Sequence, residues 1–157
     1  MIQRIQSFFL LIAFVAMLLM FFFPIISYYG DFHILQLNIL ELKNLVPGSE
    51  QLFSNLFTLP LLFFVVIIGA LSFIIIFLYK KRRLQLKLIK INILLNIILI
   101  VGIFFIYNNI IEKQAGVEGN FDLTGSIMPI ISLIFLVLSY RGVRKDERLI
   151  RSADRLR

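Results

Sequence analysis

His33 is the single histidine of the chain, and a metal site needs several donors close together, whereas the nearest acid in sequence is Asp31. Cysteine is absent, which excludes thiolate metal sites, disulfide staples and dithiol redox chemistry. Glu41, Glu50, Glu112, Glu118 and Asp122 could converge as a cation site or an acid/base pair, but nothing in their spacing requires it. A membrane enzyme acting on lipid headgroups would need His33 within hydrogen-bonding reach of one of those carboxylates. No catalytic, metal, redox or phosphate-binding motif is present. The expectation is a protein that is not an enzyme and carries no cofactor or metal.

Asn92 and Asn96 are the next candidates, because residues four apart share a helix face. Two chemistries fit them. They could bond neighbouring helices inside a bundle, at about 0.6–2 kcal/mol per contact. Alternatively, they could line a substrate or ion path in a small oligomeric transporter or channel. No acid or base lies at the same depth, which favours the first reading.

The strongest chemical signal is positive charge. Tyr79 to Lys90 carries Lys80, Lys81, Arg82, Arg83, Lys87 and Lys90, with no acid among them. The tail from Arg141 adds Arg144, Lys145, Arg148, Arg151 and Arg155. A net charge of +7 could suggest nucleic acid, but the charge forms clusters beside apolar runs rather than one broad face. Orientation in a membrane and attraction to anionic headgroups, about 1 kcal/mol per basic residue near the surface, explain it better. These residues are therefore expected to touch anionic lipid or a partner subunit. No nucleic-acid partner and no small-molecule substrate is expected.

The elements that must position these groups are apolar. Sixty per cent of residues are apolar and only 16% are charged, against roughly a quarter charged in soluble domains; with a mean hydropathy of +0.95, this is an integral membrane protein of one domain. Ile5 to Gly30 holds no charged residue and is read as a first transmembrane helix over about 6–29, uncleaved, with Pro24 kinking or ending its last turns and Ser27 to Gly30 as an aromatic interface anchor. Residues 30–56 form an outer connection whose alternation, Phe32 to Ile39, suits a strand almost as well as Ile39, Leu42 and Val46 suit a helix; it is read as a small cap, strand or helix undecided. Thr58 and Pro60 mark a helix start, Thr58 as N-cap, for a second span over about 57–79. A cytoplasmic basic loop at 80–87 leads to a third span, 88–111, and a fourth follows at 124–140 with Pro129 in its first two turns. The tail 141–157 places Leu149, Ile150, Ala153 and Leu156 on one face of an amphipathic helix.

Orientation follows from the Lys and Arg count. Arg4, the basic stretch and the tail lie on one side, leaving Lys43 and Lys113 for the other. The positive-inside rule then puts both termini in the cytoplasm. The expected fold is all-α: an antiparallel bundle of four transmembrane helices with a small extracytoplasmic cap and a C-terminal amphipathic helix.

The start, Met1-Ile-Gln-Arg-Ile-Gln6 running directly into a helix, and the finish, Arg144-Lys-Asp-Glu-Arg-Leu-Ile-Arg-Ser-Ala-Asp-Arg-Leu-Arg157, resemble a family of small membrane proteins of the Bacteroidota, domain of unknown function 4293, along the full chain. The resemblance implies four hydrophobic helices, a basic C-terminal helix and an inner-membrane location in a two-membrane bacterium. It implies no activity and brings no catalytic residues. The functional expectation is a non-enzymatic accessory or scaffold subunit of a larger inner-membrane complex, docking through its helices and basic tail. The alternative is the oligomeric transporter with Asn92 and Asn96 lining its path.

Overall fold

In chain order the elements are α1 (Gln3–Leu19), strands β1 (Ile26–Tyr29), β2 (Ile34–Leu37) and β3 (Leu42–Asn44), then α2 (Leu59–Phe77), a 3₁₀ turn (Leu78–Lys80), α3 (Arg82–Val101), a π-helical stretch (Gly102–Tyr107), α4 (Asn108–Ala115), β4 (Gly119–Phe121) and α5 (Leu123–Arg155). They come from a computed structural model that describes residues 3–30, 34–46, 53–54 and 56–155, with the side chains of residues 3, 4, 80 and 151–155 outside that description. Three helical stretches are long and apolar enough to cross a membrane: Leu59–Phe77, the continuous rod Arg82–Ala115, and Leu123–Ile150. α1 contributes a shorter apolar helix, Ile5–Leu19. The chain is a membrane protein.

α1 packs on α5 and α2, and α3 packs on α2 and α5, so the four long helices close a ring. Each neighbouring pair runs antiparallel. Phe14 meets Phe73 while Met17 lies by Gly69; Gln85 reaches Ile75 while Asn92 reaches Ile68. Phe9 meets Phe135, and Asn96 meets Ser132. One end of the ring is therefore basic, gathering the starts of α1 and α3 with the end of α5. The other end is closed by a sheet.

The sheet corrects the all-α expectation. Its strand order is β3-β2-β1-β4, every pair antiparallel. It also ends the first helix ten residues before the expected boundary of 29. Pro24 cannot donate to a helical ladder and disfavours helical backbone at Phe23. The chain tightens through Phe21 N–H to Leu18 O and Phe22 N–H to Leu19 O, and Ile25 N–H then turns to Leu37 O of β2. The undecided cap is strand, and it recruits β4 from the connection between α4 and α5. Tyr28, read as part of an interface anchor, is buried in this sheet, while Tyr29 is exposed.

Two further boundaries move. The basic loop expected at 80–87 is mostly helix, since Arg82, Arg83 and Lys87 open α3. The tail is not a separate helix after 140: α5 runs 33 residues without a break. The junction at Tyr140 carries no proline, Gly142 keeps helical backbone, and the Arg, Lys, Glu and Leu that follow are good helix formers, so the helix continues. Thr58 does not cap α2; its hydroxyl donates to Leu40 O at 2.8 Å and ties the helix start to the β2–β3 connection.

Buried apolar side chains form two clusters. One, under the sheet, joins Met17, Met20, Ile26, Tyr28, Leu37, Ile68, Leu99 and Ile103; the other, near the basic end, joins Leu10, Ala13, Ile75, Ile89, Leu136 and Val143. Between them lie Ser72, Asn92, Asn96 and Ser132, all fully buried.

Candidate functional site

Helical spacing explains this polar layer. Asn92 and Asn96 stand one turn apart on α3 and diverge to opposite neighbours. Asn92 Nδ2 donates to Ser72 Oγ at 2.8 Å and to Ile68 O at 3.3 Å, both on α2. Asn96 Nδ2 donates to Ser132 Oγ of α5 at 3.0 Å. Ser72 Oγ itself donates to Ile68 O at 2.9 Å. The layer thus clamps α3 to α2 and α5. Both amide oxygens, Asn92 Oδ1 and Asn96 Oδ1, lack a hydrogen-bond partner among the described residues. A buried unmet acceptor costs about 1–3 kcal/mol, so this layer sets helix register at some expense of stability.

The sheet end holds a second polar set, which sequence reasoning met only as scattered loop acids. Tyr28 OH donates to Asn108 Oδ1 at 2.9 Å, and Asn108 Nδ2 donates to Glu112 Oε1 at 2.9 Å. The same carboxylate oxygen accepts from Gly119 N at 3.0 Å. Burial, with the Glu112 charge nearby, pushes the Tyr28 phenol well above its ordinary value of 10.0. On the other side of β1, Ser27 Oγ donates to Asp122 Oδ2. Gly116, in the left-handed region at φ 68°, ends α4 with its N–H on Glu112 O and turns the chain into β4. These bonds fasten the sheet to α4 and α5. Glu41 is elsewhere, paired with Lys43 at 3.1 Å on the far strand, and Glu118 is exposed. His33, Asp31 and Glu50 lie outside the described residues, so the convergence of His33 on a carboxylate is a question about that unseen part. Among the described residues, no three His, Cys, Asp or Glu side chains come together.

The basic end gathers most of the expected cations. Lys81, Arg83, Lys87 and Lys90 are exposed and Arg82 half-buried at the start of α3, while Arg144, Lys145 and Arg148 are exposed on α5. Lys80, Arg151 and Arg155 have helical backbone, with side chains outside the description. Tyr140, where the apolar part of α5 ends, joins the two groups: Lys90 Nζ stands 5.7 Å from its ring centroid and the Arg144 guanidinium 6.0 Å. Arg83 reaches Glu147 at 3.8 Å. Asp146, the residue before Glu147, is buried and accepts from Gln6 Nε2 at 2.7 Å, pinning α5 to the first turns of α1. An open groove of about 540 Å³ is lined by Arg141, Arg144, Lys145, Arg148 and Leu149.

Sequence reasoning missed Arg141, Tyr140, Gln6 and Asp146 as parts of this end. Arg141, Arg144, Lys145 and Arg148 follow i, i+3, i+4, i+7 spacing. That signal is visible once the tail is read as a continuation of the fourth helix rather than as a helix of its own.

No curated protein and no solved structure gives a significant match to the chain. A family model matches residues 2–156. The resemblance carried by the two ends of the sequence is thereby established, and the chain belongs to the family described as domain of unknown function DUF4293.

Proposed function

We propose that the chain is a non-enzymatic accessory or scaffold subunit of a larger complex in a bacterial inner membrane. It is an antiparallel bundle of four transmembrane helices, with the basic end and both termini in the cytoplasm. The observation that carries this reading is α5. It does not stop where its apolar run ends at Tyr140, but continues as one unbroken helix to Arg155. Past the bond of Asp146 to Gln6, Leu149 is 53% and Ile150 43% exposed, apolar surface that a helix in water gains nothing by showing. The distribution of Lys and Arg supports the orientation, because Lys43 and Lys113 stand at the sheet end and the clusters at the other.

The experiment is affinity purification from native membranes in mild detergent, comparing the full chain with one ending after Arg148. That truncation keeps Asp146 on Gln6 and leaves Arg141, Arg144, Lys145 and Arg148 in place, while it removes Leu149, Ile150 and the last three arginines. A defined partner lost on truncation supports the proposal. A lone monomer in both preparations removes it.

The oligomeric transporter remains the second reading because of one observation, the two amide oxygens buried on α3 without a partner among the described residues. Replacing Asn92 and Asn96 together by Leu tests it. An unchanged growth or flux phenotype in a strain that depends on the protein would leave that reading without support.

A further inference from the structure

Four cations within eight residues of one helix face repel each other unless an anion joins them. Arg141, Arg144, Lys145 and Arg148 line a groove of about 540 Å³ with no carboxylate in its lining, a volume in the roughly 300–1,000 Å³ range of small-ligand sites. The two nearest acids on the same helix are committed elsewhere, Asp146 to Gln6 and Glu147 toward Arg83. Lys90 of α3 stands over the Tyr140 ring, 5.7 Å from its centroid, so a fifth cation borders the site. We propose that this groove binds the phosphate headgroup of an anionic phospholipid.

Two features select a lipid over a free anion. The groove opens directly after Leu123 to Tyr140, a helical length of about 27 Å at 1.5 Å per residue, which places it at the depth where headgroups begin. Tyr140 is half-buried beside it, the disposition of an interfacial aromatic. Three of the lining cations are Arg, whose planar fork can hold two phosphate oxygens at once, where Lys offers a single point charge. The lipid site does not depend on the scaffold role proposed above, although Leu149 belongs to both surfaces.

The test uses the full chain in neutral detergent, titrated with short-chain phosphatidylglycerol, phosphatidylcholine or inorganic phosphate, with binding read by native mass spectrometry. Phosphatidylglycerol should bind at one saturable site, the other two weakly. The variant R144Q/K145Q/R148Q should lose about tenfold in phosphatidylglycerol affinity relative to K81Q/R82Q/K87Q, which removes the same charge outside the groove. Arg144→Lys keeps the charge and should fall between wild type and the triple variant. All altered groove positions are exposed, and circular dichroism checks that the helices persist. Equal weakening by the two triple variants would reduce the site to diffuse surface charge and overturn the proposal. Phosphatidylcholine binding as tightly would show that headgroup charge is not read. Inorganic phosphate binding as tightly as the lipid would make the occupant a soluble anion, which also overturns it.

Discussion

Asp146 takes a carboxylate into a position only 7% exposed, and Gln6, 6% exposed, meets it with an amide hydrogen at 2.7 Å. The two are far apart in sequence, so this bond defines how the end of α5 lies on the start of α1. Asp146→Ala leaves the Gln6 amide unpaired and should destabilise by about 1–3 kcal/mol, seen as a lower unfolding temperature in detergent. Gln6→Leu should cost at least as much, because it strands a buried charge. Tyr28 offers a pH test. Its raised phenol pKa means that the folded state holds the proton more tightly than the unfolded chain does. The stability this contributes is intact below the unfolded value of 10.0 and drains away as pH climbs above it. Tyr28→Phe loses the bond to Asn108 and should be less stable at neutral pH, yet its stability should fall less steeply than wild type above about pH 10. Parallel alkaline slopes in the two proteins would contradict this assignment.

Glycines show at the scale of elements where the helices touch and where they do not. A Cβ at Gly125 would fall on the backbone carbonyl of Pro24, where the connection from α1 to β1 crosses the start of α5, and backbone cannot swing aside. Gly125→Ala should therefore destabilise by about 1–3 kcal/mol. A Cβ at Gly102 meets nothing within 4 Å, so Gly102→Ala should stabilise by about 0.5–1 kcal/mol through helix propensity. Thermal unfolding of both variants in one detergent decides the pair. The same contrast explains what could be read in advance. Apolar runs without charge announce helices by composition, so α2, the rod containing α3 and most of α5 were legible from length alone. The sheet was not, because its pairing is set by partners distant in sequence: Ile26 opposite Leu37 on one side and Phe121 on the other. Asn92 and Asn96 were legible as interhelical groups, but their divergence toward Ser72 and Ser132 depends on helix order, which spacing on one helix does not contain. The groove was half legible: its cations were visible, but the junction at Tyr140 looked like a boundary when it is the middle of a helix.

For the whole molecule, the open question is which compartment each end of the bundle occupies, and the absence of cysteine makes it directly measurable. A single cysteine placed at Leu40, 56% exposed at the sheet end, and another at Leu149, 53% exposed at the basic end, report the two faces without background labelling. With the basic end in the cytoplasm, Leu40→Cys should react with a membrane-impermeant maleimide once the outer membrane is opened. Leu149→Cys should react only after the inner membrane is broken. The electrostatic reason is that a run such as Lys80 to Arg83 resists translocation across an energised membrane, whereas the sheet end carries little to oppose it. α1 is the most demanding part of this topology, since 17 residues give about 25 Å, short of a 30 Å core. Met20 to Ile25 carry the chain on from α1 to the sheet, with Met20 and Ile25 fully buried, and the proposed crossing needs this stretch as well as the helix. If α1 failed to cross, an N-terminal tag would share the compartment of Leu40 instead of that of Leu149. Protease protection of such a tag, beside the two cysteines, therefore tests the four-span topology and its orientation together.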